Sequence, residues 1–333
     1  MTLSIGSLAL QMEIEQWPLT QPFRIAGHTY TSKEFLVVRL EKDGQVGRGE
    51  AAGVRYLNDH ASAMARQIES VRSSIEHEVS RESLQQLLPP GGARNALDCA
   101  LWDLEAKLLG RAVWEIAELD APKPLVTTFT CGADEPDVMA TRARSYAGAR
   151  AIKLKLTGDP IDADRVLAVR EARNDVWISV DANQGFSRPF LEKLLPLLVT
   201  ANVAMIEQPL PRGEEAQLDG FASPIPIMAD ESVQSLRDVA DMRGRFDGIN
   251  IKLDKCGGLS EGLAMAVAAR KLGLKVMVGN MFGTSLAMAP AFVLGQLCSI
   301  VDLDGPIFLQ ADRENRARYD QGAIVCPSEV WGC

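Results

Sequence analysis

The sequence predicts an α/β protein in which a closed (β/α) barrel follows a small α+β domain. Three observations carry this. Eight short apolar runs recur at intervals of roughly 20 to 28 residues between Val126 and Asp302, helical stretches separate them, and the first 120 residues have a different texture. Continuous apolar strands alternating with helices mean a parallel sheet covered on both faces, and eight units favour closure over an open, doubly wound sheet. No G-x-G-x-x-G follows any run to argue for the open form.

In chain order, Leu8, Leu10, Met12 and Ile14 alternate with polar or small residues, the period of a half-buried strand. Leu36, Val38 and Leu40 repeat the pattern, run into Asp43-Gly44, a hairpin signal, and return through Val46. Apolar residues at spacings of three and four from Ala61 to Val79, and again from Ala96 to Leu108 after Pro89-Pro90-Gly91-Gly92, predict two amphipathic helices. Ala121-Pro122-Lys123-Pro124 then reads as a joint, so the first domain is expected to span 1–120 and the barrel 121–305. The eight runs are 126–130, 151–155, 177–181, 204–207, 227–230, 249–252, 276–278 and 300–302, each followed by a helix of ordinary length. Helix signals lie at Pro160, at the capping-box pattern Ser235 to Asp238, and at Ser260 before an Ala-rich stretch closed by Gly273.

With 333 residues, 47% hydrophobic, the chain can bury a large core. A net charge of −9 gives no basic footprint for nucleic acid. No run of about 18 apolar residues suggests a membrane span, and Met1 to Leu10 lacks the features of a secretory signal, so a cytoplasmic protein is expected. The six cysteines form no C-x-x-C pair, and the three histidines, His28, His60 and His77, fall in the first quarter without a G-x-S-x-G elbow.

Chemistry in such a barrel belongs at the C-terminal ends of the strands. There stand Lys153 and Lys155, Asp181, Glu207, Asp230, Lys252, and Asp302 with Asp304. One carboxylate after a strand is most often a helix cap. Three on successive strands would be forced together by closure, at a cost that a divalent cation relieves. All-oxygen ligands suit Mg²⁺, one per subunit, and disfavour zinc or copper. Lys155 and Lys252 flank the three carboxylates in strand order and would face each other across the metal. Either serves as a base if its pKa is lowered, and Lys153, on the same strand face as Lys155, offers a means. The constellation suits removal of a proton next to a carboxylate, with the metal stabilising the ene-diolate.

Ile152-Lys153-Leu154-Lys155, Asp181-Ala182-Asn183, Glu207-Gln208-Pro209, Ala229-Asp230-Glu231-Ser232 and Asn250-Ile251-Lys252, in this order, resemble the signature of the enolase superfamily, muconate-lactonising-enzyme subgroup. Ala93 to Gly110 resembles the helix that joins that family's capping domain to its barrel. The resemblance implies a modified (β/α)₇β TIM-type barrel, an N-terminal capping domain, and a segment, 306–333, that returns to the cap. It implies that Lys155 and Lys252 are the paired acid/base lysines, that Lys153 modulates Lys155, and that Asp181, Glu207 and Asp230 hold Mg²⁺. Asp302-Leu303-Asp304 resembles the D-x-D motif with which dipeptide epimerases bind the substrate's free ammonium, although without the other motifs the pair reads rather as a helix cap or a turn before Gly305-Pro306. Arg24 matches an arginine that meets a glutamate side chain in L-Ala-D/L-Glu epimerases, and Thr130 ends the first run within reach of substrate. Gly279 to Ser285 departs from the family's Cys-Met-x-Glu-Ser form, so contacts there do not carry over.

The expected activity is epimerisation of a dipeptide at its C-terminal residue, L-Ala-D/L-Glu of peptidoglycan origin, by a possible homo-oligomer. The alternatives on the same core are an o-succinylbenzoate synthase or muconate-type cycloisomerase. A non-catalytic metal-dependent binder stands further off, since a pure binder needs no pair of bases.

Overall fold

A computed structural model describes residues 3–25 and 28–332. The chain opens with an antiparallel sheet, strands Ala9–Ile25, His28–Lys42 and Gln45–Ala51 in that spatial order. Its second hairpin turns through Asp43 and Gly44, both at positive φ (50° and 74°), the geometry an Asp-Gly pair provides at low cost. Alternation suggests one wet face, yet Phe35, Leu36, Val37 and Val38 are all buried. Leu36 and Val38 pack on the cap helices, while Phe35 and Val37 join clusters on the opposite, barrel side.

Three helices follow, Ala61–His77, Arg81–Leu87 and Gly92–Leu109, one more than the periodicity suggested. The short middle one is set by a capping box at Ser80 and Ser83. Gly92–Leu109 is not amphipathic in its setting. It lies between the cap sheet and the barrel, so its polar residues Arg94, Asn95, Asp98, Asp103 and Glu105 are buried too. A Cβ at Gly47 would stand 2.1 Å from the Ala100 carbonyl, and one at Gly49 2.0 Å from that of Ala96. Those glycines let the helix lie directly on the third strand.

Eight parallel strands form the barrel: Thr128–Cys131, Ala151–Lys155, Trp177–Asp181, Val203–Glu207, Ile227–Ala229, Gly248–Ile251, Lys275–Val278 and Ile300–Val301, neighbours in chain order. All eight apolar runs are strands. The seam between last and first is bridged by side chains rather than a backbone ladder. Leu303 N–H donates to Thr127 Oγ1 (2.8 Å), and the Thr128 hydroxyl donates to Asp302.

The expectation of a full helix after every run needs correcting at three places. After Glu207, after Asp230 and after Asp302 the connections hold only 3₁₀ segments, Glu215–Leu218, Leu236–Met242 and Gly305–Phe308. Pro209, Pro211 and Gly213 deny the first a continuous helix. The second keeps its capping box at Ser235 but is too short for more. Likewise the helix Leu259–Lys271 is capped by Gly258, and Ser260 lies inside it.

Strand Arg318–Asp320 pairs with Ala323–Val325, which in turn pairs with Leu125–Val126 at the foot of the barrel. The chain then reaches the cap helix, where Trp331 Nε1 donates to Arg48 O (2.9 Å) and Gly332 N–H to Asp103 Oδ1 (2.8 Å). No described helix is long and apolar enough to cross a membrane.

Candidate active site

The barrel's ladder fixes which side chains meet. Lys155 pairs in register with Asp181, and Asp181 with Glu207, so residues that end successive strands are lateral neighbours. Carboxylate oxygens of Asp181, Glu207 and Asp230 lie within 4.8 Å of one another, and all three residues are buried. Lys155 Nζ is 2.6 Å from Asp181 Oδ2 at one end of this triad, and Lys252 Nζ is 2.7 Å from Asp230 Oδ2 at the other. The two lysines thus flank the carboxylates.

Lys153 sits beneath, 1% exposed, with its ammonium 3.0 Å from Asp181, 2.9 Å from Glu207 and 2.9 Å from Asp302. Burial alone would lower its pKa, but the charges of Asp181, Asp302, Glu207 and Asp230 outweigh that and hold it well above the usual lysine value. It is a fixed cation. The same balance governs Lys252, where Asp230 overrides burial and raises the pKa. Against burial, Lys153 and Lys155 hold Asp181 low, while Lys252 and Lys255 do so for Asp230. Glu207 goes the other way: burial and the Asp181 charge push it up.

The triad fits a small, hard cation. Its ligands are oxygen only. Glu207 Oε1 accepts from Asn250 Nδ2 (2.8 Å), whereas Oε2, though close to Lys153, has no donor in hydrogen-bonding geometry. A buried carboxylate oxygen without a donor, facing two further carboxylates, has the character of an Mg²⁺ ligand.

Above the triad is a cavity of about 260 Å³, lined on the barrel side by Lys153, Lys155, Asp230, Lys252, Asp302 and Asp304. Asp302 and Asp304 do share the site. Asp302 is taken on both oxygens by protein donors, Lys153 and Thr128, and its pKa is lowered, the Lys153 charge overcoming burial. Asp304 Oδ2 accepts the Thr130 N–H (2.7 Å), and burial with the Asp302 charge raises its pKa. Thr130 therefore lines the cavity and also positions Asp304. The side chain of Arg24 lies outside the described residues.

Sequence reasoning missed several members. Asn250 was legible, two residues before Lys252 on the same strand face, as Lys153 is to Lys155. Lys255, 2.5 Å from Asp230 Oδ1, and Thr128 on Asp302 had no such signal. Nor had Asp254, whose Oδ1 accepts both Ala52 and Gly53 N–H (2.9 Å each) and pins the cap loop carrying Arg55 and Tyr56.

A parallel barrel with an acidic triad between two strand-end lysines, closed by an α+β cap, defines a class of metal-assisted proton-transfer proteins. The chain belongs to the mandelate racemase / muconate lactonizing enzyme family: that family's N-terminal domain matches residues 9–117, and the enolase C-terminal domain-like model matches 138–329. It is 41% identical to the L-Ala-D/L-Glu epimerase of Escherichia coli (strain K12) over 313 residues, 93% of this chain and 97% of that one. It is similar to the structure of an enolase family member from Agrobacterium tumefaciens with homology to dipeptide epimerases, which contains sodium and L-Ala-L-Glu (TM-score 0.93, 39% identity, 98% and 100% of the two chains). A dipeptide epimerase from Methylococcus capsulatus, solved with Mg and L-Arg-D-Lys, is also similar (TM-score 0.89, 29% identity, 97% and 98% of the chains).

Proposed function

We propose that this protein is a Mg²⁺-dependent isomerase that epimerises a dipeptide at the α-carbon of its C-terminal residue, with L-Ala-D/L-Glu, the dipeptide for which its relative in Escherichia coli is named, as substrate. The observation that carries the reading is the placement of Lys155 and Lys252 at opposite ends of one carboxylate triad, beside Asp302 and Asp304. Asp181, Glu207 and Asp230 would hold the cation. When bound, it supplies positive charge beside the substrate carboxylate and so favours the ene-diolate.

The lysines do the proton work. One, as the free amine, takes the α-proton from one face of the carbon; the other, as its ammonium, delivers a proton to the opposite face, and the configuration inverts. Lys153 stays charged and stabilises negative charge near Lys155. Asp304, with Asp302 behind it, receives the substrate ammonium. Aromatic residues of the cap, among them Phe23 and Tyr30, cover the cavity against water. We place the reaction in the cytoplasm, on dipeptides released from peptidoglycan. Incubating L-Ala-L-Glu with protein and Mg²⁺ in D₂O tests the reading: the α-proton signal of the glutamate disappears as the diastereomer forms, and EDTA stops both. With no exchange on any dipeptide, the reading fails in favour of a cycloisomerase or synthase on the same core.

A further inference from the structure

The cap contributes two charged side chains to the cavity, Lys33 and Arg55, that neither the metal site nor the lysine pair uses. Lys33, on the strand His28–Lys42, lines the wall opposite the barrel and is half-buried there. Its ammonium lies 4.6 Å from the centre of the Tyr30 ring and 5.7 Å from that of Phe282. Phe282 packs edge-on against Tyr30 (5.5 Å) and Phe23 (5.2 Å), so the rings form a fixed platform beneath the charge.

Among the described residues, the Lys33 ammonium makes no ion pair and no hydrogen bond. Burial and the like charge of Arg55 weaken its hold on its proton, and the carboxylates acting on it, Asp254 and Glu34, do so only at a distance. Arg55 lines the same wall and hydrogen-bonds the Tyr30 hydroxyl. Two cations thus stand side by side with no protein carboxylate against Lys33. A lysine whose only task was solubility would extend into water rather than lie across aromatic rings inside a cavity.

The cavity therefore carries three charge zones: carboxylates at Asp302 and Asp304, the metal and lysine centre on the floor, and a cationic wall on the cap. An acidic dipeptide has the complementary set, an ammonium, an α-carboxylate and a side-chain carboxylate. We propose that Lys33, braced on Tyr30 and Phe282 and seconded by Arg55, is a specificity-determining residue that receives an anionic side chain on the residue being epimerised. This rests on the dipeptide epimerase reading. It also implies that the site rejects cationic side chains at that position by like-charge repulsion.

The test compares L-Ala-L-Glu, its neutral isostere L-Ala-L-Gln and L-Ala-L-Lys on the wild-type, K33M, K33R and K33E proteins, reading kcat/KM from α-proton exchange in D₂O. One charge-assisted hydrogen bond predicts a wild-type preference for Glu over Gln of roughly 10- to 150-fold. In K33M the preference collapses because Ala-Glu turnover falls, while Ala-Gln turnover stays within about threefold. K33R retains most of the preference, and K33E gains turnover of Ala-Lys. An equal fall on Glu and Gln in K33M, or a wild-type protein that epimerises both equally well, overturns this assignment and leaves the epimerase reading standing. A wild-type protein that exchanges no dipeptide overturns both. Ala-Gln turnover by K33M also shows that the variant is folded.

Discussion

The ammonium of Lys153 lies 2.9 Å from Oδ2 of Asp302, joining the second strand of the barrel to the end of the eighth. The two carboxylates of the D-x-D motif are therefore not equivalent. Asp302 holds Lys153 and accepts from Thr128, whereas Asp304 accepts the Thr130 N–H on Oδ2 and, in the proposed function, takes the substrate ammonium. D304N is expected to lower kcat/KM for dipeptides by about 10- to 150-fold. It should leave an N-acetylated dipeptide, which has no ammonium, much less affected. D302N should instead cost stability, about 1 to 3 kcal/mol by urea denaturation, because it weakens one of the three carboxylate contacts of a buried cation that Asp181 and Glu207 still neutralise. Equal effects of both variants on substrate discrimination would show that the motif acts as a symmetric pair.

Replacing either flanking lysine separates a two-base site from a one-base site. K155A and K252A should each reduce epimerisation by about 10²- to 10⁴-fold, the usual worth of a positioned acid or base. Each variant should still exchange the α-proton of one diastereomer in D₂O, and the favoured diastereomer should differ between the two. A single lysine doing both transfers would leave one variant fully active.

Loss of metal should appear in stability as well as in turnover. Asp181, Glu207 and Asp230 are buried together, and an ion bound among them stabilises the folded state by about 2.7 kcal/mol at a hundredfold excess over Kd. Thermal melts with and without Mg²⁺ should show that upward shift. E207Q should lose the shift, because an amide nitrogen replaces one carboxylate oxygen. A melt insensitive to Mg²⁺ in the wild-type protein would remove the triad as a metal site.

How much of this was legible depends on whether a residue's place follows from its own neighbourhood. Lys155, Asp181, Glu207, Asp230 and Lys252 each end an apolar run, and period-two alternation with a strand-end position is enough to gather them once the barrel closes. The partners chosen across long stretches of chain left no local trace. Arg313, near the C-terminus, is 2.7 Å from Glu50 of the cap, and Glu50 also accepts from Thr284 N–H (2.7 Å). Neither end of that clasp announces the other. The buried polar residues of Gly92–Leu109 were unreadable for a related reason: a periodicity of three and four marks an apolar face but not whether water or a barrel covers the opposite one.

The Arg313 clasp bears on function because Thr284 ends the loop that brings Asn280, Met281 and Phe282 to the cavity. R313M should destabilise the protein by about 2 to 4 kcal/mol, since Glu50 is buried and would lose its main counter-charge. Loosening the loop should raise KM more than it lowers kcat. A fall confined to kcat would mean that the clasp positions the lysines rather than the substrate wall.

Asp254 gives a pH dependence that can be isolated. Burial, helped by the nearby charges of Asp59 and Glu50, raises its pKa from 3.8 to about 7, although the Gly53 and Ala52 N–H groups favour the charged form. The folded protein then holds a proton that the unfolded chain releases near pH 4. The stability this contributes is fully present below about pH 4, declines as pH rises, and is gone above about pH 7. Between pH 5 and pH 7.5 the share due to Asp254 is roughly 2 to 3 kcal/mol. D254N does not titrate and retains an oxygen for both N–H groups, so its urea midpoint should fall less across that interval than that of the wild-type protein. Parallel falls in the two proteins would mean that Asp254 is ionised throughout, with its charge met by the two N–H groups.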